Sequence, residues 1–352
     1  MPPPRPTLRS LAAEAGVSVT AMSFALRNSP EISAATRDRL QRLAAVRGYR
    51  PDPHLAKLMS HLRRRAPARS AANLCGLCQD WAPHPAPKGN YFDRLCTGLR
   101  QRAGELGYAF SLIDIDHYPR RAQLQRVLVS RGVEGLLVLP MRRPTDLSNR
   151  LDWRAFATVS VTSTINAPPF HRVIPHHFDN MLLACQQLKL AGFRRIGLAM
   201  ARDWDRRVNH RWSGGLAWQN QFGGTEPVTP LLDEGHGLSV DPDSFARWLA
   251  QERPDAVVMQ LLTRDSEALD QVLRRLPAAR RPKIVTVNWP NPGADGGIDQ
   301  RAERIGVAAI EVLAAMLNRG ERGVPELPNS TLIDGQWIPG KLGRRSPRKT
   351  RF

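Results

Sequence analysis

The chain has 352 residues, a length that argues for two or three domains. Hydrophobic residues make up 42% of it and charged residues 24%, which excludes a collagen-like or wholly disordered chain. Lys and Arg number 51 against 32 Asp and Glu, a net charge of +19, and an excess of that size implies a polyanionic partner, nucleic acid or an anionic membrane.

The excess lies at the ends. Residues 1–70 hold 13 Lys/Arg and four Asp/Glu, residues 341–352 hold six and none, and the 270 residues between carry only +4. No apolar run is long enough to span a bilayer, and the start, Met1-Pro-Pro-Pro-Arg-Pro6, lacks the apolar stretch of a secretory signal. The expectation is a cytoplasmic protein with no membrane contact and four reduced cysteines.

Thr7 can cap a helix whose Leu8, Leu11, Ala12 and Ala15 recur at helical spacing and which Gly16 ends. Ser18 caps a second helix over 19–27, with Met22, Ala25 and Leu26 as its apolar face. Asn28-Ser29-Pro30 breaks the pattern, and Ser33 caps a third helix that runs to Gly48. Residues 1–50 thus form an all-α helix-turn-helix unit. A hinge helix over 53–62 and a linker make up 51–70, with Pro53 at a first helical position.

The pattern alternates from Ala71 onward. Strand 72–79, helix 91–106, strand 108–113, helix 119–131, strand 135–139 and strand 157–162 make a βαβ series, hence a parallel sheet. A second series begins near Arg172 with strand 172–174, helix 178–191 and strand 194–200. It continues with helix 208–222, strand 227–232, helix 243–252, strand 255–260, helix 264–276 and strand 283–288. The expectation is an α/β two-lobed core over 71–340 with Rossmann-like parallel sheets, lobe one near 71–170 and lobe two near 171–298. Helix 299–319 and the strand-like 329–338 return to the first lobe, and 341–352 is a basic flexible tail.

The stretch Thr7-Leu-Arg-Ser-Leu-Ala-Ala-Glu-Ala-Gly-Val-Ser18, continued by Val19-Thr-Ala-Met-Ser-Phe-Ala-Leu26, Ile32-Ser-Ala-Ala-Thr-Arg37 and Gly48-Tyr-Arg-Pro-Asp-Pro53, closely resembles the N-terminal module of lactose-repressor (LacI) family transcriptional regulators. Phe178-Asp-Asn180 through Ala191-Gly-Phe-Arg-Arg-Ile-Gly197 resembles that family's mid-chain signature more loosely. The resemblance implies a hinge helix and a core like the type I periplasmic sugar-binding proteins. Its implied partners are double-stranded operator DNA, a small-molecule effector and a second copy in a homodimer, without a cofactor.

The helix–turn–helix spacing has its own physical reason, since it presents the start of the second helix to a major groove while the first helix braces it. Val19, Thr20 and Phe24 are the base-edge candidates. Thr7, Ser18, Ser23, Arg27 and Thr36 are better placed for phosphates, which set register but carry no sequence information. Relatives commonly carry arginine at the position of Phe24, so the usual guanine preference is expected to be lost there. Leu58 matches the family's minor-groove leucine, and Leu55 and Met59 are also apolar enough to unstack a base step. The alternative for 53–62 is a linker helix packed on the core.

By position Asp179, Arg211 and Asn288 match polar effector contacts of the family, and Trp81, Tyr91, Trp212 and Trp289 are ring-stacking candidates that could equally be core. The family's Ala-Asn-Asp string is replaced by Gln260-Leu-Leu-Thr263, which argues against a familiar sugar. Cys75-Gly-Leu-Cys78 has metal or redox spacing, but in a strand these residues point to opposite faces. His171, His176 and His177 beside Asp179 read as a strand end and a helix start. With no catalytic or metal constellation at convincing spacing, the expectation is a regulator, the rival classes being a solute-binding protein without a transport signal and an enzyme.

Overall fold

The computed structural model describes residues 6–26, 31–49, 73–79, 89–141, 144–234, 240–261 and 266–342. Expectations for Arg27, for 53–62 with Leu55, Leu58 and Met59, for Trp81 and for the tail from residue 343 lie outside these residues.

Three short helices, α1 (Leu8–Ala15), α2 (Val19–Leu26) and α3 (Ala34–Val46), form the N-terminal unit. Local chemistry sets their ends. Thr7 Oγ1 accepts from the Ser10 N–H at 3.1 Å while the Thr7 N–H donates to Ser10 Oγ at 2.9 Å, a reciprocal cap. Gly16 closes α1 in the left-handed region at φ 65°, and Ser18 Oγ accepts from the Ala21 N–H at 3.1 Å to start α2. Leu11, Ala12, Met22, Ala25, Leu40 and Ala44 pack as a small core. Gln41 Nε2 donates to the Ala25 carbonyl at 2.8 Å and ties α3 to α2.

In the body, β1 (Asn73–Cys78), α4 (Tyr91–Glu105), β2 (Ala109–Asp114), α5 (Arg121–Ser130), β3 (Val133–Val138), β4 (Thr145–Asp146), β5 (Ala157–Ser160), β6 (Ile165–Ala167) and β7 (His171–Pro175) come first. They are followed by α6 (His177–Leu190), β8 (Ile196–Ala201), α7 (Arg202–Arg207), α8 (Arg211–Phe222), β9 (Leu231–Asp233), α9 (Pro242–Glu252), β10 (Ala256–Met259), α10 (Ser266–Arg275), β11 (Lys283–Thr286), β12 (Gly296–Asp299), α11 (Ala302–Arg319), β13 (Ser330–Ile333) and β14 (Gln336–Ile338). The first sheet has the order β13-β7-β5-β3-β1-β2 and the second β14-β12-β11-β10-β8-β9. The pairings are parallel except β12 with β14. The two-lobed parallel α/β body expected from the alternating pattern is therefore present.

Each sheet is covered on both faces, as parallel sheets require. In lobe one, α4 and α11 cover one face through Leu95, Leu99, Ile305, Ile310 and Leu313, and α5 covers the other through Leu124 and Leu128. Gly98 and Gly306 let α4 and α11 cross at backbone contact: a Cβ on Gly98 would overlap the Glu303 carbonyl, and one on Gly306 would meet the Leu95 carbonyl oxygen at 2.5 Å. In lobe two, α6 and α8 pack on one face and α9 and α10 on the other.

Several expected elements shift. Strand 172–174, placed at the start of lobe two, instead joins the first sheet between β5 and β13. Both faces of Val173 and Ile174 are buried, so the local pattern shows a strand but not which sheet will take it. Helix 208–222 begins only at Arg211, as α8, because Asn209 and His210 are left-handed at φ 54° and 56° and separate it from the short α7, which was not expected. Strand 227–232 shrinks to Leu231–Asp233 because Pro227 and Pro230 have no N–H for a ladder. The strand-like 329–338 is two strands, one in each sheet. β12 escaped notice because glycines hide its pattern; a Cβ on Gly297 would meet the Thr286 carbonyl oxygen at 2.5 Å.

The chain crosses between lobes three times, at 175–177, at 299–302 and between β13 and β14. These crossings are laced together. The His176 N–H donates to the Ile333 carbonyl at 2.9 Å and the Gly335 N–H to Asn180 Oδ1 at 2.8 Å.

Candidate nucleic-acid interface and interlobe cleft

On α2, Met22 and Ala25 point into the small core while Val19, Thr20, Ser23 and Phe24 lie on the opposite arc of the helix. Val19 is 43% exposed. Thr20 is exposed; Ser23 and Phe24 are half-buried. The phosphate candidates Thr7 and Ser18 are exposed helix caps, and Thr36 Oγ1 lies 2.8 Å from the capping Ser33 Oγ. Exposed Arg9, Arg39 and Arg42 add positive charge to the same unit, whereas Arg47 is held by Glu14 through its Nε at 2.8 Å.

The second candidate site lies where the carboxyl ends of the two sheets face each other. Lobe one supplies the chain after β3 and β5. There Thr162 and Thr164 join hydroxyls at 2.8 Å, and Thr164 Oγ1 accepts from the Met141 N–H at 3.1 Å, which fixes Met141 and Ser163 at the cleft. Lobe two supplies α7 and α8. Arg207 Nη2 donates to the Met141 carbonyl at 2.6 Å, and its guanidinium lies 4.2 Å above the Trp204 ring. Arg211 Nη1 reaches Ser163 Oγ at 3.5 Å. Tyr91, half-buried at the start of α4, stands within electrostatic reach of Arg207.

Buried Asp205 holds the first turn of α8. It accepts from the Ser213 N–H at 3.1 Å, from Ser213 Oγ at 2.6 Å, and faces His210 Nδ1 at 2.9 Å. This anchoring sustains the two left-handed residues ahead of Arg211. Burial pushes His177 down to about 3, helped by Arg211, His176 and Arg207, and its ring sits 5.1 Å from Trp212. Burial also brings Arg207 down to about 10.

The expected effector residues therefore divide. Arg211 and Tyr91 lie at the cleft. Asn288 follows β11, its N–H bonded to Thr286 Oγ1 at 3.1 Å, and the Trp289 carbonyl accepts from Arg94 Nη1 at 3.1 Å. Trp212 is core. Asp179 is exposed and faces His176 Nδ1 at 2.7 Å, with Asp334 3.4 Å from the same nitrogen. Those three ligand atoms are close enough to share a cation, but two of the three side chains are exposed, and the cluster stands beside the lobe crossings. His171 stands apart, accepting from the Asn329 N–H at 3.0 Å. Arg207, Met141 and Ser163 were missed, because no local pattern marks a residue whose partner lies on the opposite lobe, and His177 was read only as part of a helix start. A separate apolar hollow lined by Phe245, Met259, Leu261, Leu269, Leu273 and Ile284 lies inside lobe two, away from these groups.

Cys75 and Cys78 fall into the cores on opposite faces of the first sheet, and burial pushes both thiols up to about 12. Among the described residues no helix is long and apolar enough to cross a membrane.

Residues 7–52 match the family model of bacterial regulatory proteins, lacI family. The N-terminal unit is a lacI-family module. The sucrose operon repressor of Escherichia coli is 26% identical to this chain over 190 residues, 54% of each protein, so the match spans about half the length of that relative. The lac repressor dimer bound to operator and the anti-inducer ONPF shares the fold at a TM-score of 0.53 and 16% identity, over 95% of this chain and 98% of that one. A transcriptional regulator CelR–cellobiose complex does so at 0.52 and 19%, over 95% and 98%. The lacI-family module thus sits ahead of a body whose fold, too, is that of solved regulators.

Proposed function

We propose that this chain is a sequence-specific DNA-binding transcriptional regulator, a dimeric repressor of a palindromic operator that answers to a small molecule bound between its lobes. The observation that carries the reading is the division of α2, whose Met22 and Ala25 are spent on the core while Val19 and Thr20 are exposed and Ser23 and Phe24 are half-buried on the arc away from it. Thr20 would donate or accept at a base edge, and Val19 and Phe24 would meet thymine methyls. Thr7, Ser18, Ser23, Arg27 and Thr36 would contact phosphates, and Leu58, flanked by Leu55 and Met59, would wedge the minor groove.

Two such modules fit successive major grooves about 10 base pairs apart, on an operator with an easily kinked centre. Support comes from the operator-bound dimer and the cellobiose complex that share this fold. Effector binding would switch the protein through unequal affinity for the DNA-competent and incompetent lobe arrangements, typically about 1 to 3 kcal/mol of coupling. The reading assigns no catalysis and a cytoplasmic place of action.

Selection of bound sites from random duplexes, followed by retardation of the selected fragment across a salt series, tests it. A palindromic consensus and an affinity that falls steeply with salt are expected. A flat salt response with no consensus would leave the two-lobed body alone, and with it the reading as a solute-binding protein.

A further inference from the structure

Among the described residues, the cleft holds more positive charge than its own carboxylates answer. Arg207 is 8% exposed and His177 7%, and each leaves a buried nitrogen, Nε and Nδ1, without a hydrogen-bond partner. Arg207 Nη2 is satisfied by a neutral carbonyl and Arg211 Nη1 touches a neutral hydroxyl. Asp203, the acid that bears on Arg207, has its ion pair with Arg206 at 3.8 Å, and Asp205 is taken by Ser213 and His210. Arg172 of β7 adds to the field on Arg211, and Arg211, His176 and Arg207 all act on His177. Burying a guanidinium without a counter-charge is costly, and an orphaned buried polar atom marks a place where a partner is missing.

We infer that the interlobe pocket takes an anionic small molecule, its carboxylate or phosphate gripped by Arg207 and Arg211. This rests on the reading of the cleft as the effector pocket and narrows it to a ligand class. A guanidinium offers planar paired donors to either group, and Trp204 fixes the plane of Arg207 from behind. A neutral sugar leaves the buried Arg207 and the half-buried Arg211 unanswered, so the pocket favours the charged analogue.

The full chain is titrated at matched ionic strength with sodium phosphate, gluconate, glucose 6-phosphate and glucose, read by thermal unfolding and tryptophan fluorescence. The series is repeated with Arg207→Met, Arg211→Met and the charge-keeping Arg207→Lys, and operator retardation checks that each variant is folded. Inorganic phosphate and at least one of the two charged sugars are expected to bind at least tenfold more tightly than glucose. Either Met variant should weaken that binding at least tenfold, and Arg207→Lys should weaken it less. The gluconate and glucose 6-phosphate arms tell a carboxylate ligand from a phosphate one. Phosphate protection of equal size in all variants comes from elsewhere on this basic chain and overturns the inference. Binding of glucose alone, lost in Arg211→Met, keeps the pocket and overturns the anion. No response to any of the four compounds overturns both.

Discussion

Arg94 and Asp299 join the two lobes through a forked contact, Nη1 to Oδ1 at 3.0 Å and Nη2 to Oδ2 at 2.9 Å. Arg94 stands on α4 of lobe one and Asp299 ends β12 of lobe two, beside the second lobe crossing. Arg94 Nε also reaches Glu303 at 2.6 Å. Both members of the Arg94–Asp299 pair are mostly buried, so removing one strands the other. Arg94→Met is expected to lower unfolding free energy by about 2 kcal/mol, read by urea denaturation. An unchanged midpoint would show that the fork is idle.

Two glycines on α4 make a paired test. Gly98→Ala drives a methyl into the Glu303 carbonyl and is expected to cost about 1 to 3 kcal/mol. A Cβ at Gly104 meets nothing within 4 Å, so Gly104→Ala is expected to stabilise by about 0.5 to 1 kcal/mol through helix propensity. Thermal unfolding should move the two variants in opposite directions.

His177 gives the fold a pH dependence whose sign follows from its environment. Burial holds the ring neutral down to about 3, whereas in the unfolded chain it takes a proton near 6.5. Above pH 6.5 its contribution is constant. As pH falls from there toward 3 the unfolded state gains a proton the folded state refuses, so stability is lost by at most about 1.4 kcal/mol per pH unit from this group. His177→Gln should flatten the stability profile between pH 6 and 4, and superimposable profiles would count against a buried neutral ring.

At the proposed nucleic-acid face, Thr20→Ala is expected to cost about 1 to 3 kcal/mol on the selected operator and little on random duplex. Phe24→Arg places a forked donor where relatives commonly carry one and is expected to introduce a guanine into the half-site consensus. Site selection with the variant reads this directly, and an unaltered consensus would move Phe24 out of the groove.

The four cysteines are buried, and burial raises their thiols to about 11 or 12. A disulfide reagent at pH 8 should label none of them in the native chain and all four in denaturant.

How much of this was legible follows from the range of the physics involved. The module could be read because Thr7, Gly16, Ser18 and Ser33 act within four residues, and caps are a local matter. The opposite-face placement of Cys75 and Cys78 follows from strand geometry alone. By contrast, the sheet chosen by β7, the hidden strand β12 and the burial of Arg207 by Met141 depend on residues far along the chain. Arg211 was found by resemblance, while Arg207, four residues earlier, carries no pattern that separates it from a surface arginine such as Arg206.

The threefold passage of the backbone between the halves bears on protein engineering. Neither half is one continuous stretch, since α11 and β13 return to the first after the second is nearly complete. A chimera meant to exchange the proposed effector specificity must therefore transplant the whole body behind the module as one cassette, because a splice at either of the first two joints would leave the first half short of a strand and its longest helix, and one at the third would take β14 from the second.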